Sequence, residues 1–159
     1  MTLLDLVAGL AIAEVRYIII GGVAGVAHGS RRVTDDLDIL YDPAPDNLAR
    51  LGALLTRWHA YPRDVEPGLP FIADARTLHA TEMLTLTTDA GFLDLFRHVA
   101  GVGDYRAAAP GAVTIELPAG PVRALSLGQL IAAKRAAGRP KDLEHLIELE
   151  ALRALGAGA

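Results

Sequence analysis

The segment from Tyr17 to Tyr41 constrains the fold more than any other part of the chain. An apolar run at residues 17–20 precedes the glycine pair Gly21 and Gly22, and a second apolar run ends at Tyr41. Apolar runs bounded by turn residues are typical of buried strands, and glycine adopts the backbone conformations that tight turns need. The segment therefore predicts a strand, a glycine turn, a short helix, a loop and a second strand.

The second predicted strand carries two acids, Asp36 and Asp38, which should point to the same side because side chains alternate along a strand. Such a pair of carboxylates suits Mg²⁺, which prefers oxygen ligands. A helix starting at Val23 would direct free N–H groups towards an anion, and glycines before it would let a phosphate approach the backbone. This combination favours phosphoryl or nucleotidyl transfer. The residues alone also allow a solvated edge strand beside an ordinary turn.

A third candidate acid lies in the segment 83–96. Two alternating runs flank the sequence Asp89-Ala90-Gly91, and this pattern predicts a hairpin with a short glycine loop. The second strand of the hairpin carries Asp94 between two leucines. A carboxylate in an apolar strand is costly unless it is paired, bound to a metal or turned to solvent. The residues leave these three explanations open.

The last third of the chain predicts a pair of helices. Ser126 and Gln129 have the spacing of a capping box for a helix over 127–137. Gly138 suits the end of that helix, and Pro140 suits the first turn of the next one. The final helix is expected to run to about residue 154. Its inner face is predicted to contain Leu143, Leu146, Ile147 and Ala154.

Both lysines of the chain, among 15 lysines and arginines, lie in this helix pair at positions 134 and 141. That placement favours a specific need for ammonium groups, since Lys binds phosphate as a compact point charge. The alternative is a solvated helix hairpin in which Lys134 and Asp142 form a structural ion pair.

Length and composition limit the other possibilities. A chain of 159 residues is long enough for one domain with a substantial core. The sequence has no cysteine, so disulfide frameworks and thiolate metal sites are excluded. Its net charge of −4 argues against a broad polyanion-binding surface. It has no apolar run of the length a membrane span needs and no convincing signal peptide, so we expect a cytoplasmic protein.

Several of these motifs together resemble the nucleotidyltransferase superfamily, whose fold is that of the DNA polymerase beta palm. The resemblance rests on Gly21-Gly22, Gly29-Ser30, Arg32, Thr34 and Asp36-Leu37-Asp38. Within the superfamily, the chain looks most similar to small bacterial proteins related to AbiEii-type toxin nucleotidyltransferases. The resemblance implies an α/β fold over residues 1–159. We expect a small, mixed, curved sheet with flanking helices over 1–125, and a C-terminal helix pair over 126–155 that completes the cleft.

The resemblance also implies roles for individual residues. Three acids would be catalytic and would bind one or two Mg²⁺: Asp36, Asp38 and Asp94. The nucleotide would be bound by Gly21, Gly22, Ser30, Arg32, Thr34, Lys134, Arg139, Lys141 and Asp142. The sequence departs from the family pattern at Asp35, where many relatives have lysine, and this adds negative charge beside the site.

The implied reaction transfers a nucleoside monophosphate from a nucleoside triphosphate (NTP) to an acceptor hydroxyl. Three hypotheses for the protein's role stay open. The acceptor could be tRNA, as for a toxin with a cognate antitoxin, or it could be a small molecule or a protein. The chain could instead be a non-catalytic nucleotide-binding module. An RNA acceptor predicts a basic surface beside the cleft, formed by Arg31, Arg32, Arg135 and Arg139.

Overall fold

The structure is a computed structural model that describes residues 3–30, 35–66 and 68–156. Its helices are α1 (Leu3–Ile12), α2 (Gly21–Ala27), α3 (Pro45–Arg57), α4 (Ala75–Ala80), α5 (Tyr105–Ala108), α6 (Leu127–Ala137) and α7 (Pro140–Leu155), with a 3-10 turn at Ala109–Gly111. Its strands are β1 (Tyr17–Ile20), β2 (Asp36–Tyr41), β3 (Tyr61–Pro62), β4 (Met83–Thr88), β5 (Gly91–Phe96), β6 (His98–Val99), β7 (Gly103–Asp104), β8 (Val113–Leu117) and β9 (Gly120–Ala124). None of the described helices is long and apolar enough to cross a membrane.

Seven of the described strands form one mixed sheet in the order β3-β4-β5-β2-β1-β9-β8. The pairs β2–β5 and β1–β9 are parallel, and the other neighbours are antiparallel. The remaining two described strands, β6 and β7, form a separate small hairpin. The predicted fold class, a mixed sheet with flanking helices, is confirmed.

The centre of the sheet has two chemically different faces. Leu37, Ile39, Leu93 and Leu95 are at most 1% exposed and belong to the hydrophobic core, where α1 packs against β2 and β5. The residues that alternate with them carry the carboxylates. Burial of one leucine side chain contributes about 1.5–3 kcal/mol. The core face therefore fixes the direction in which the acids point.

Most local elements follow their sequence signals. The capping box of Ser126 and Gln129 is present, and Gly138 ends α6 in the left-handed conformation at φ 65°. The hairpin of β4 and β5 turns at the predicted residues, with Gly91 at φ 138°. The strand β3 is a difference, because residues 59–70 contain three prolines and predict only a loop. It pairs with β4, about 25 residues away in sequence, and proline content carries no information about that contact.

The predicted inner face of the last helix is wrong in part, although Leu146 does pack against the core. Leu143 is 49% exposed and Ile147 is 71% exposed, whereas Asp142, His145 and Leu149 are buried. The cause is a pair of tertiary contacts that hydrophobic spacing does not reveal. Asp142 pairs with Lys134 of α6 and with Arg139, the residue before the first turn of α7. The ring of His145 packs against Gly25 of α2. These contacts turn α7 so that a polar stripe faces inward.

Candidate active site

The three predicted catalytic acids emerge from one face of the sheet. The strands β2 and β5 are parallel neighbours, and their register places Asp38 opposite Asp94 and Asp36 opposite Phe92. Since side chains alternate along a strand, Asp36, Asp38 and Asp94 share the face opposite the leucine core. We call these three residues the acid face. The structure thus brings together acids that are more than 50 residues apart in the sequence.

The electrostatics of Asp38 are those of a site that needs a cation. Burial and the neighbouring Asp94 carboxyl raise the pKa of Asp38 to about 7, with Asp36 acting in the same direction. Its Oδ1 is buried and has no hydrogen-bond partner among the described residues. A buried carboxylate oxygen without a donor is costly, and a second carboxylate beside it adds repulsion. A bound cation would relieve both costs.

The pKa of Asp36 is also raised. Burial is the main cause, and the carboxylates of Asp94 and Asp35 add to it, while the Arg63 guanidinium acts in the opposite direction. The exposed Asp35 therefore does place extra negative charge next to the acid face. This negative potential favours cations and disfavours a free triphosphate.

The backbone conformation of Gly21 and its close approach to Asp38 leave no room for a side chain. Its φ is +69°, and a Cβ atom added there would lie 2.2 Å from Oδ2 of Asp38. Glycine is therefore required here for two reasons: the backbone is left-handed, and the Asp38 carboxylate lies against it. The helix α2 begins at Gly21, two residues before the predicted start at Val23, and Gly22 is its second residue.

The opposite side of the site is formed by α6 and α7. Asp142 is 1% exposed and accepts hydrogen bonds from Lys134 Nζ at 3.3 Å and Arg139 Nε at 2.5 Å. The Arg139 guanidinium, with help from Lys134, lowers the pKa of Asp142 to about 2. The ion pair between Lys134 and Asp142 that the sequence allowed is therefore present. Lys134 also lowers the pKa of Asp38, so its ammonium group acts across the site.

A cleft of about 230 Å³ lies between Asp38 of the acid face and this helix pair, and neither Asp36 nor Asp94 lines it. It is lined by Ile20, Gly21, Asp38, Phe96, His98, Val99, Ala100, Leu125, Leu130, Ala133, Lys134, Ala137, Arg139 and Asp142. Five of the predicted site residues thus line one cavity. His98 is a further polar side chain that lines the cleft. Its position in the sequence, just after the strand that carries Asp94, was the one indication that it could lie near the site.

Other predicted nucleotide-binding residues lie elsewhere or outside the described part of the chain. Arg32 and Thr34, with Arg31, fall in the undescribed residues 31–34. Ser30 is buried and its hydroxyl lies 3.5 Å from Nε2 of His145, so its placement does not support a phosphate contact. Lys141 is exposed in the first turn of α7 and does not line the cleft.

Sequence reasoning missed Arg63. Its guanidinium donates one hydrogen bond to Oδ1 of Asp94 and another, of 3.0 Å, to the carbonyl oxygen of Leu86. It also lies 5.0 Å from the ring centroid of Phe92, within cation–π range. Arg63 follows the unpredicted strand β3, so its approach to β5 depends on a non-local pairing. Asp94 itself gave the only signal, since an acid in an apolar strand calls for a partner.

The acid face fits a divalent cation through its donor chemistry and charge. Asp38 and Asp94 offer carboxylate oxygens on neighbouring strands, and one of these oxygens is buried without a donor in the described structure. Within residues 3–30, 35–66 and 68–156, no three acidic or histidine side chains form a ready metal cage. Mg²⁺ commonly takes only one or two carboxylates and completes its ligands with substrate phosphates. A partial donor set of this kind suits it.

Comparison with known proteins identifies the fold. No model of a protein family matches the sequence. No curated protein matches it either. Among solved structures, the antibiotic-resistance factor ANT(2'')-Ia matches with a TM-score of 0.52 and 17% identity over 96% of this chain and 88% of that chain. An antigenic nucleotidyltransferase-like protein from Paracoccidioides brasiliensis has a TM-score of 0.46 and 20% identity, over 92% of this chain and 74% of that chain. From the first of these similarities and its own mixed sheet, the chain has the nucleotidyltransferase fold.

Proposed function

We propose that the protein is a metal-dependent nucleotidyltransferase that moves a nucleoside monophosphate from an NTP to an acceptor hydroxyl. The observation that carries this proposal is the register of Asp38 beside Asp94 on adjacent parallel strands, with Asp38 and Lys134 lining the same cleft. Carboxylates on one side and a cation on the other provide complementary contacts for a metal-bound triphosphate.

In the proposed reaction the acceptor oxygen attacks the α-phosphorus of the NTP. The bond between that phosphorus and the oxygen that bridges to the β-phosphate breaks, and pyrophosphate leaves. Asp38 and Asp94, with Asp36 beside them, would hold Mg²⁺, and its charge would neutralise the negative charge that develops on the phosphate oxygens. Asp94 would receive the acceptor proton or help to hold the metal, and Lys134 would bind a triphosphate oxygen.

Asp142 and Arg139 support Lys134 in this proposal. Asp142 is buried and ionised, and it holds the ammonium group at the edge of the cleft. Arg139 shares the same carboxylate and is 60% exposed, so its guanidinium can also reach a phosphate. The structural ion pair and the nucleotide-binding role are compatible, because Lys134 has three N–H donors and Asp142 uses only one.

We expect Lys134→Ala to raise the KM for the NTP by about 10- to 100-fold, since a hydrogen bond from a charged group contributes about 1.5–3 kcal/mol. The fold should survive, because Asp142 keeps Arg139 as a partner. Steady-state kinetics with varied NTP tests this, with Arg153→Ala on the exposed side of α7 as the matched control. An unchanged KM would remove Lys134 from the binding site.

Two alternative classes of acceptor, tRNA and a small molecule, are considered. A tRNA acceptor would make the protein an AbiEii-type toxin that acts in the cytoplasm and is opposed by an antitoxin. The described part of the predicted basic surface does not favour RNA, because Arg135 is paired with Glu150 and Arg139 with Asp142. A small-molecule acceptor fits the similarity of fold to an antibiotic-resistance factor.

The proposal is tested by incubating the protein with Mg²⁺, total tRNA and each of the four NTPs labelled with ³²P at the α-phosphate. Products are separated into RNA, protein and small-molecule fractions, and Asp38→Asn serves as the inactive control. Label in one fraction that disappears in the variant identifies the acceptor class. Binding of NTP without transfer to any fraction, including a cell-derived small-molecule pool, would favour the non-catalytic module.

A further inference from the structure

We infer that Arg63 is a positioning residue that holds Asp94 in its working orientation, an inference that rests on the proposed function. Its guanidinium donates to one oxygen of Asp94, Oδ1, so the second oxygen is the one that would meet the cation or the acceptor. Carboxylates at metal sites commonly need such an outer partner, because it fixes the orientation of the ligand. Nothing in the family resemblance assigns a role to this arginine.

Arg63 is itself held in place from several directions. Its backbone N–H donates to the carbonyl oxygen of Thr85 at 3.0 Å, and its Nη1 donates to the carbonyl oxygen of Leu86 at 3.0 Å. The guanidinium also lies over the ring of Phe92, and the side chain is only 22% exposed. These contacts restrict the arginine before any substrate binds, so little further conformational entropy is lost when it orients Asp94.

The geometry separates this role from binding of the triphosphate. Arg63 approaches from the β3–β4 side of the sheet, whereas Lys134 and Arg139 line the cleft on the α6–α7 side. Loss of Arg63 should therefore disturb the chemical step more than the binding of NTP. An ion pair that only stabilised the sheet would not produce this separation.

Two substitutions at position 63 separate the effect of the arginine's charge from the effect of its shape. Lysine at position 63 would keep the positive charge but lose the planar fork that reaches Asp94 and the Leu86 carbonyl together. Alanine would lose both. If orientation is the function, both variants should be slow, and a free guanidinium compound should restore activity only to the alanine variant, which leaves space for it.

The kinetic test compares Arg63→Lys, Arg63→Ala and the control Arg57→Ala at the exposed end of α3. We expect kcat to fall about 10- to 100-fold in both Arg63 variants, with the KM for NTP within threefold of the wild type. Methylguanidinium should raise the kcat of Arg63→Ala at least fivefold. A kcat within twofold of the wild type in Arg63→Ala, or a higher KM with unchanged kcat, would overturn the inference.

Binding of Mn²⁺, followed by electron paramagnetic resonance without NTP, gives a readout that needs no turnover. Because the outer partner of a metal-binding carboxylate fixes its orientation, both Arg63→Ala and Arg63→Lys should bind Mn²⁺ at least threefold more weakly than the wild type. Equal or tighter binding in Arg63→Ala, which is the result expected if Arg63 acted only through its charge, would contradict the assignment. If the wild type transfers no nucleotide, the proposed function fails, and the Mn²⁺ titration still tests whether Arg63 acts on these acids.

Discussion

Replacing Asp38 with asparagine should lower the rate of nucleotidyl transfer by about 10³-fold or more. The variant loses a negative metal ligand whose contribution of several kcal/mol converts to that factor at 1.36 kcal/mol per tenfold change. The fold should persist, because asparagine has nearly the same shape and its amide can donate a hydrogen bond to Asp94. Transfer kinetics and circular dichroism of the same preparation measure both properties.

The same substitution should change how stability depends on pH in the metal-free protein. Asp38 has a folded-state pKa of about 7, above its ordinary value near 4, so its favourable contribution is complete below about pH 4. It declines between about pH 4 and 7 as the unfolded chain releases a proton that the folded chain retains, and above pH 7 it is lost. The shift corresponds to at most about 4 kcal/mol at 1.36 kcal/mol per unit.

We therefore expect Asp38→Asn to become progressively more stable than the wild type from pH 5 to pH 8. Urea unfolding in EDTA at four pH values measures the difference. Glu116→Gln, on the exposed edge strand β8, removes an acid far from the cleft and should follow the wild type. Parallel curves for Asp38→Asn and the wild type would show that the acid face carries no such repulsion.

Replacing Gly21 with alanine should have the second-largest effect. The Cβ atom would meet Oδ2 of Asp38 at 2.2 Å, and the φ of +69° disfavours any residue with a side chain. Either Asp38 or the start of α2 must move by more than an ångström. A displacement of that size at a reacting centre costs about 10²-fold in rate. We also expect a loss of about 1–3 kcal/mol in unfolding free energy.

Gly128→Ala is the matched control for this substitution. Gly128 lies in the first turn of α6, and the nearest atom to an added Cβ would be 3.9 Å away. Alanine there should stabilise the protein by up to about 1 kcal/mol and leave kcat/KM unchanged. If Gly21→Ala kept kcat/KM within threefold of the wild type, the close packing of Gly21 and Asp38 would not matter for activity.

Local patterns were enough to predict the elements that carry the acids. The apolar runs around Gly21 and Gly22, and the alternation around Asp94, depend on neighbours within a few residues. The ion pair between Lys134 and Asp142 is one of the two alternatives that the sequence leaves open, and it is present in the structure. The shared register of Asp38 and Asp94 could not be derived in this way, because it depends on a parallel pairing between distant strands.

The errors have the same origin. Arg63 reaches Asp94 only because β3 pairs with β4, and its proline-rich surroundings predicted a loop. The inner face of α7 was assigned from its leucines and isoleucine. The structure instead buries His145 against α2 and Asp142 beside Lys134. In both regions a contact over a long sequence separation, Arg63 with Asp94 and His145 with Gly25, overrides the local pattern.

The most direct test of nucleotidyl transfer compares NTP labelled at the α-phosphate with NTP labelled at the γ-phosphate. The two are used in parallel reactions with Mg²⁺, total tRNA and the cell-derived small-molecule pool. We predict that the α label becomes attached to the acceptor while the γ label is released as pyrophosphate, and that Asp38→Asn does neither. Transfer of the γ label to the acceptor would show a phosphotransferase instead. Retention of both labels in intact NTP that binds the protein would contradict catalysis at the acid face.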